Sequence, residues 1–425
     1  MIKQDQYYIR PSKKPVCGTV TVPGSKSITN RALLLGCMAK GKSELSGVLF
    51  SSDTRAFMDC LIKLGFDMTI NETNQTIEMI GGIPSKESTI NVESAGTAAR
   101  FISALLAAHD GSYHLMSSEQ MRKRPMKPLL DVLCDLGAYI EYEEQSGFFP
   151  FILKGSHSKG KEIIIKTGMS SQFLSALLMT GCLYENGIRI QTLGKEVAPS
   201  YVDITLNMIT RFQGEANRIT DQCYFVKGGN TYVGQDYIIE PDVSSACYFY
   251  AMAALTGGSV TIRDVHLSSI QGDINFLKAL EMMGCTITDN EEGIHLKGPK
   301  QLCGIDIDLN NSSDQTMTLA ALAPFASTPT IIRNIEHIKH QETNRMQAIY
   351  NELTRMGIRC KFIESGLRIE PGKPKPANIQ TYDDHRMAMA FSLIGLKTDG
   401  IIIQNPSCVG KTFENYFETL ESIVY

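Results

Sequence analysis

Apolar positions along this chain recur in blocks of one kind. A short run rich in β-branched residues leads into a loop of small polar residues. The loop opens an apolar stretch of helical length, and a turn returns the chain to a second β-rich run. The loop-and-helix parts are Gly24–Leu35, Glu93–Ile102, Gly168–Leu178, Asp242–Tyr250, Ser312–Ala320 and Asp383–Phe391. Successive copies lie about 70 to 75 residues apart, so six units fill nearly the whole length and predict an α/β protein of three units plus three. Short β-branched strands are expected at Glu162–Lys166 and Gly400–Gln404, and another over Glu44–Phe50. The Ser, Thr or Asp before each apolar stretch is N-cap chemistry.

That repeat has a chemical consequence. Each loop ends where a helix begins, and a helix N-terminus offers free N–H groups and positive partial charge. Three such termini from each half, facing one cleft, would trap anions before any side chain is counted. The 425 residues carry a formal net charge of -4, yet Lys26, Arg31, Arg100, Arg124, Arg345, Arg386 and Lys411 all sit in or beside these loops. Cations gathered in the loops of a slightly acidic chain point to a small substrate with several negative charges. The same balance argues against nucleic acid as a partner. No apolar run approaches the length of a membrane helix, and Met1–Tyr8 lacks the apolar core of a signal peptide, so a cytoplasmic setting is expected.

The remaining candidate chemistry is thin. Eleven cysteines are scattered without C-x-x-C spacing and read as reduced, buried thiols. His337 and His340 form a close pair without a third ligand nearby, so no metal is expected. Gly36–Ser43 matches the pattern G-x-x-x-x-G-K-S, but it follows the apolar helix of Ala32–Leu35 and leads into a strand. A phosphate-binding P-loop needs the opposite order, so this segment reads as a helix C-terminus with a glycine stop.

The loops, taken in order, resemble those of the 3-phosphoshikimate 1-carboxyvinyltransferase (EPSP synthase) family of enolpyruvyl transferases. The likeness rests on Pro23–Arg31, Ala95–Arg100, Met121–Pro125, Ser170–Phe173, Ser313–Asp314, Glu342–Arg345, Asp383–Met387 and Lys411–Phe413. It implies a two-domain inverted α/β barrel, each domain made of three βαβαββ units. One domain would span 21–239 and the other 1–20 plus 240–425. It implies transfer of the carboxyvinyl group of phosphoenolpyruvate to the 5-hydroxyl of shikimate 3-phosphate by addition and elimination, without metal or cofactor. The protein would then be a monomer of the shikimate pathway, which leads to chorismate and the aromatic amino acids, and a target of glyphosate.

The resemblance also assigns roles. Asp314 becomes the base toward the acceptor hydroxyl, and Glu342 handles the proton at the phosphoenolpyruvate methylene, with Lys26 sharing the catalytic work. Lys26, Gly96, Arg124, Gln172, Arg345, Arg386 and Lys411 would hold phosphoenolpyruvate. Lys26, Ser27, Arg31, Ser170, Ser171, Gln172, Tyr201, Asp314 and Gln341 would hold the acceptor. Taken alone, Asp314 also reads as a helix N-cap, Glu342 as a solvated charge and Tyr201 as core. Arg100 reads as ligand contact or structural pair, and His385 as an acid or an orienting group. The chain departs from the family pattern at Glu93–Ser94, at Ala198 where serine is usual, at Gln341 where lysine is usual, and at His337 where asparagine is frequent. These departures bear on the acceptor, leaving another phosphorylated cyclitol as an alternative. UDP-N-acetylglucosamine is a further one, although Glu119–Pro125 lacks the cysteine which that relative carries in its mobile loop.

Overall fold

A computed structural model describes residues 5–229 and 231–425; residues 1–4, the start of the segment read for a targeting signal, lie outside it. The described residues fall into two compact units, one from Gly24 to Ile239 and the other made of the chain up to Pro23 together with Glu240–Tyr425.

One repeat shows the building rule. Strand Glu87–Asn91 is followed by helix Gly96–Ala107, strand Gly111–Met116, helix Lys127–Asp135 and the hairpin Tyr139–Tyr142/Phe151–Gly155. The first two strands pair in parallel, with Asn91 opposite Met116, and the hairpin adds antiparallel strands. The same order returns from Glu162–Lys166 and from Asp306–Asp308. In each remaining repeat the sheet is completed from a distant part of the chain. Asp236–Ile238 pairs in parallel with Lys42–Ser46, and Cys17–Val20 pairs in parallel with Ser259–Arg263. Gln6–Ile9 closes the sheet of Ile401–Gln404 as an antiparallel edge. Residues 24–239 are thus inserted between a strand of the other unit and the helix that crosses back over its sheet.

Helices occupy the inside of each unit and strands cover it. Val243–Thr256, Thr316–Leu322 and His385–Gly395 pack on one another and are buried on nearly every side, as their lack of a polar face requires. Strands bury one face only: Ile163 and Ile165 are buried, while Ile164 between them is 57% exposed.

Local differences from the sequence reading have local causes. The strand expected over Glu44–Phe50 is Lys42–Ser46, because Gly47 turns at φ +69 and sends Val48 and Leu49 into the core as loop. Side-chain caps are made by Ser170, Asp242 and Asp384, but not at Ser25, Ala95 or Gln315. The P-loop-like segment is the end of helix Lys26–Met38 followed by Gly41 at φ +92 and a strand, the order that excludes a phosphate cradle. All eleven cysteines are free, but Cys17, Cys134 and Cys303 are exposed, against the expectation of burial. No helix among the described residues is long and apolar enough to cross a membrane.

Candidate active site

Within the unit that contains Glu240–Tyr425, the segments at the starts of helices Thr316–Leu322, Arg345–Arg355 and His385–Gly395 bring their charged residues together. Arg345 is the first residue of helix Arg345–Arg355 and is 1% exposed. Its guanidinium donates to Asp384 Oδ2 at 2.7 Å, Asp314 Oδ1 at 2.9 Å and Glu342 Oε2 at 2.8 Å. Burial works against its charge, but these three carboxylates hold its pKa above the ordinary arginine value. Asp314 accepts a second guanidinium at Oδ2, from Arg386 at 2.8 Å. Arg386 reaches on to Tyr248 Oη at 3.4 Å and Ser244 Oγ at 3.5 Å. Gln341 lies on the same pair, its carbonyl against Arg345 and its amide 3.4 Å from Asp314 Oδ1.

Two readings left open by the sequence are thereby decided. Asp314 is not a helix cap: it sits in the turn Asn310–Gln315, Gln315 occupies the cap position, and both Asp314 oxygens are taken by arginines. Glu342 is not a solvated charge, since only 11% of its side chain is exposed. Lys411 ends the turn Pro406–Lys411 and is buried. His385 is buried with Nδ1 3.6 Å from Asp384. His337 meets Ser313 Oγ at 2.9 Å through Nε2.

The unit 24–239 holds the other set. Lys26 opens its helix and pairs with Asp53 at 3.4 Å. Ser170 caps Ser171–Thr180 through the Gln172 N–H at 3.2 Å, and the Gln172 amide reaches Thr97 Oγ1 at 3.4 Å. Ser27 is half-buried and Ser171 buried. Arg31 is spent on the framework: it donates to Thr205 Oγ1, Ser175 Oγ and the carbonyls of Ser27 and Tyr201, with the Tyr201 ring 5.9 Å away. Burial pulls its pKa down to about 10, still far above neutrality. Arg100 is likewise structural in its contacts, donating to the carbonyls of Gly96 and Pro125.

At Gly96, the first residue of helix Gly96–Ala107, the surroundings leave little room for a side chain. A Cβ there would run into the Arg124 guanidinium and come within 2.8 Å of Arg100 Nη1. The space above Gly96 belongs to arginine heads. Of the family departures, Ala198 holds a left-handed φ of 47 just before helix Ser200–Arg211, and Glu93 does so at φ 49.

Sequence reasoning missed three acids. Asp53 partners Lys26, Asp384 anchors Arg345, and Asp273 lies buried beside Ser244 and Gln315. Asp384 stood inside a quoted motif and could have been chosen. Asp53 and Asp273 had no local signal.

Comparison with known proteins agrees with this geometry. A family model described as EPSP synthase (3-phosphoshikimate 1-carboxyvinyltransferase) matches residues 11–420. The 3-phosphoshikimate 1-carboxyvinyltransferase of Trichormus variabilis is 44% identical over 416 residues, covering 97% of this chain and 98% of its own. That of Yersinia pestis is 39% identical over 409 residues, 95% of each chain. Among solved structures, an EPSP synthase of Acinetobacter baumannii superposes with a TM-score of 0.82 at 26% identity, covering 99% of this chain and 98% of its own. The enolpyruvyl transferase NikO of Streptomyces tendae shares the fold, with a TM-score of 0.76 at 15% identity over 98% and 96% of the two chains. The chain belongs to the EPSP synthase (3-phosphoshikimate 1-carboxyvinyltransferase) family.

Proposed function

We propose that the protein transfers the carboxyvinyl group of phosphoenolpyruvate to the 5-hydroxyl of shikimate 3-phosphate and releases inorganic phosphate. The observation that carries this reading is the meeting of Asp314 and Glu342, from separate loops, on the single buried guanidinium of Arg345. Addition and elimination needs an acid and a base close together among fixed cations.

Asp314 is held by two guanidiniums. Phosphoenolpyruvate brings its own anionic oxygens to Arg345, Arg386 and Lys411, which draws N–H donors away from Asp314 and frees its oxygens for the acceptor hydroxyl. Asp314 then takes the proton of the acceptor hydroxyl as its oxygen bonds to C2, while a proton is delivered to C3 by Glu342. Glu342 takes the proton back from C3 as the C2–O bond to phosphate breaks, and the departing phosphate takes the acceptor proton from Asp314, so both carboxyl groups return to their starting states. Lys26, Gly96, Arg124 and Gln172 also serve phosphoenolpyruvate. The buried Gln172 carbonyl, which has no partner among the described residues, supports that assignment. Lys26, Ser27, Ser170, Ser171, Gln172, Tyr201, Asp314 and Gln341 serve the acceptor, and Arg31 fixes the acceptor loop through its bonds to Ser27 and Tyr201. The setting is the cytoplasm and the working form is a monomer.

Phosphate release with phosphoenolpyruvate and shikimate 3-phosphate tests the reading, with shikimate and UDP-N-acetylglucosamine as controls. Release only with shikimate 3-phosphate is expected; greater activity with either control would overturn it. Gly96→Ala adds a methyl group against Arg124, so the Michaelis constant for phosphoenolpyruvate should rise several-fold, with little change for the acceptor. Unaltered kinetics would separate Arg124 from phosphoenolpyruvate.

A further inference from the structure

The carboxylate of Asp273 has no place in the mechanism above, yet it is bound into it. Asp273 lies in the turn Gly272–Asn275, is 4% exposed and forms no ion pair among the described residues. Its Oδ2 accepts the Ser244 hydroxyl and, at 2.9 Å, the Gln315 amide. Ser244 Oγ in turn accepts from Arg386 at 3.5 Å, and Gln315 is the neighbour of Asp314 in the chain. The other end of Gln315 accepts from Thr318 at 3.0 Å, so its side chain is held at both ends. Asp273 is therefore one hydroxyl away from one catalytic-loop cation and one amide away from the turn that carries Asp314.

We infer that Asp273 is a positioning residue for the proposed reaction, holding Arg386 through Ser244 and the Asp314 turn through Gln315.

Physical chemistry favours a functional over a stabilising role. The charged and titratable groups around it are Asp314 on its turn, Arg386 on His385–Gly395, and Cys247 on Val243–Thr256. Burial, reinforced by the negative charge of Asp314, pushes the Asp273 carboxyl up to about 6, against the pull of Arg386 and the two hydrogen bonds. A carboxyl whose pKa is raised on folding costs stability when ionised. The cost is absent below the ordinary value of 3.8 and complete above about 6. At neutral pH the protein thus keeps a charge that weakens the fold. Ionised, Asp273 is an acceptor only, which fixes both donors toward it; protonated, it becomes a donor and releases that constraint.

The experiment compares full-length wild type, Asp273→Asn and Ser244→Ala in phosphate release between pH 5 and 8.5, varying each substrate separately. At pH 7.5 kcat should fall about tenfold in both variants, with the Michaelis constant for phosphoenolpyruvate rising more than that for the acceptor. The decline of wild-type kcat near pH 6 should vanish in Asp273→Asn, and its melting temperature at pH 7.5 should equal or exceed that of wild type. A merely structural Asp273 would not remove that limb. Wild-type kcat in the variants, or a limb near pH 6 that persists in Asp273→Asn, overturns the inference. Should Asp273→Asn fail to fold, Ser244→Ala decides, since it cuts the link and leaves the carboxylate. The inference rests on the roles given above to Arg386 and Asp314, and a wild-type protein that releases no phosphate would sink those roles. The crystal structure of Ser244→Ala then decides separately: loss of the 2.8 Å contact between Arg386 and Asp314 supports the inference, and its retention overturns it.

Discussion

Replacement of Asp314 by asparagine is expected to lower kcat by about a hundredfold or more, the scale of a positioned acid or base. Asparagine keeps an oxygen for one guanidinium and presents no base; Arg345 keeps Glu342 and Asp384 as charge partners, while Arg386 loses the charge of Asp314. The split between constants is therefore informative. If Asp314 takes the acceptor proton, kcat collapses while the Michaelis constant for phosphoenolpyruvate moves only a few-fold. If its chief task is to hold the two arginines, the Michaelis constant rises steeply and kcat changes little. Glu342→Gln offers the matching test, because glutamine can still accept from Arg345 Nη2 but gives up the charge and the ability to carry a proton. A comparable fall in kcat is expected, and near-normal turnover in either variant removes that residue from the chemistry.

How much of this site the sequence disclosed depends on distance along the chain. The loops could be read because each carries its signal locally: a small polar residue, a glycine or aspartate, then an apolar run. The strand Glu162–Lys166 could be read because its three isoleucines form a short β-branched run. Asp314 and Glu342 were found by likeness to a family, not by spacing, since their meeting on Arg345 is a tertiary event. Asp384 pairs with Arg345 across 39 residues and Asp273 reaches Gln315 across 42, and no local pattern records such pairs. The segment Ser269–Asp273 reads as an ordinary polar turn. Gly96 shows the same limit from another side. Its position was visible, but the need for glycine comes from Arg124, whose guanidinium arrives from a different loop. Caps were over-read for a related reason: at Ser25 and Ala95 the helix starts carry no side-chain cap bond. Binding sites commonly leave helix N–H groups for a ligand.

Removal of the Arg345 side chain is the largest change the structure forecasts for stability. Its guanidinium is the common partner of Asp314, Glu342 and Asp384, whose side chains are 12%, 11% and 0% exposed. Arg345→Met fills the volume but takes this cation away from Glu342, Asp384 and Asp314, the last of which keeps Arg386. Breaking a buried pair by deleting one partner costs about 3–5 kcal/mol. For a cooperative unit of about two hundred residues, that is a fall in melting temperature of roughly 6–20 °C. Calorimetry on the purified variant checks it, and a melting temperature within about 2 °C of wild type would show that the cluster contributes little. Two further proteins assign the cause. Arg345→Lys restores the charge but not the fork that serves three carboxylates at once, so it should recover only part of the loss. Asp384→Asn keeps an oxygen to cap the Arg386 N–H but turns its amide donor toward Arg345 Nε, so alone it should also cost stability. Combined with Arg345→Met it should make the double variant more stable than Arg345→Met itself, because the most deeply buried of the orphaned charges is gone. Simple additivity of the two changes would mean that Asp384 and Arg345 do not depend on each other, which their 2.7 Å contact in a dry interior argues against.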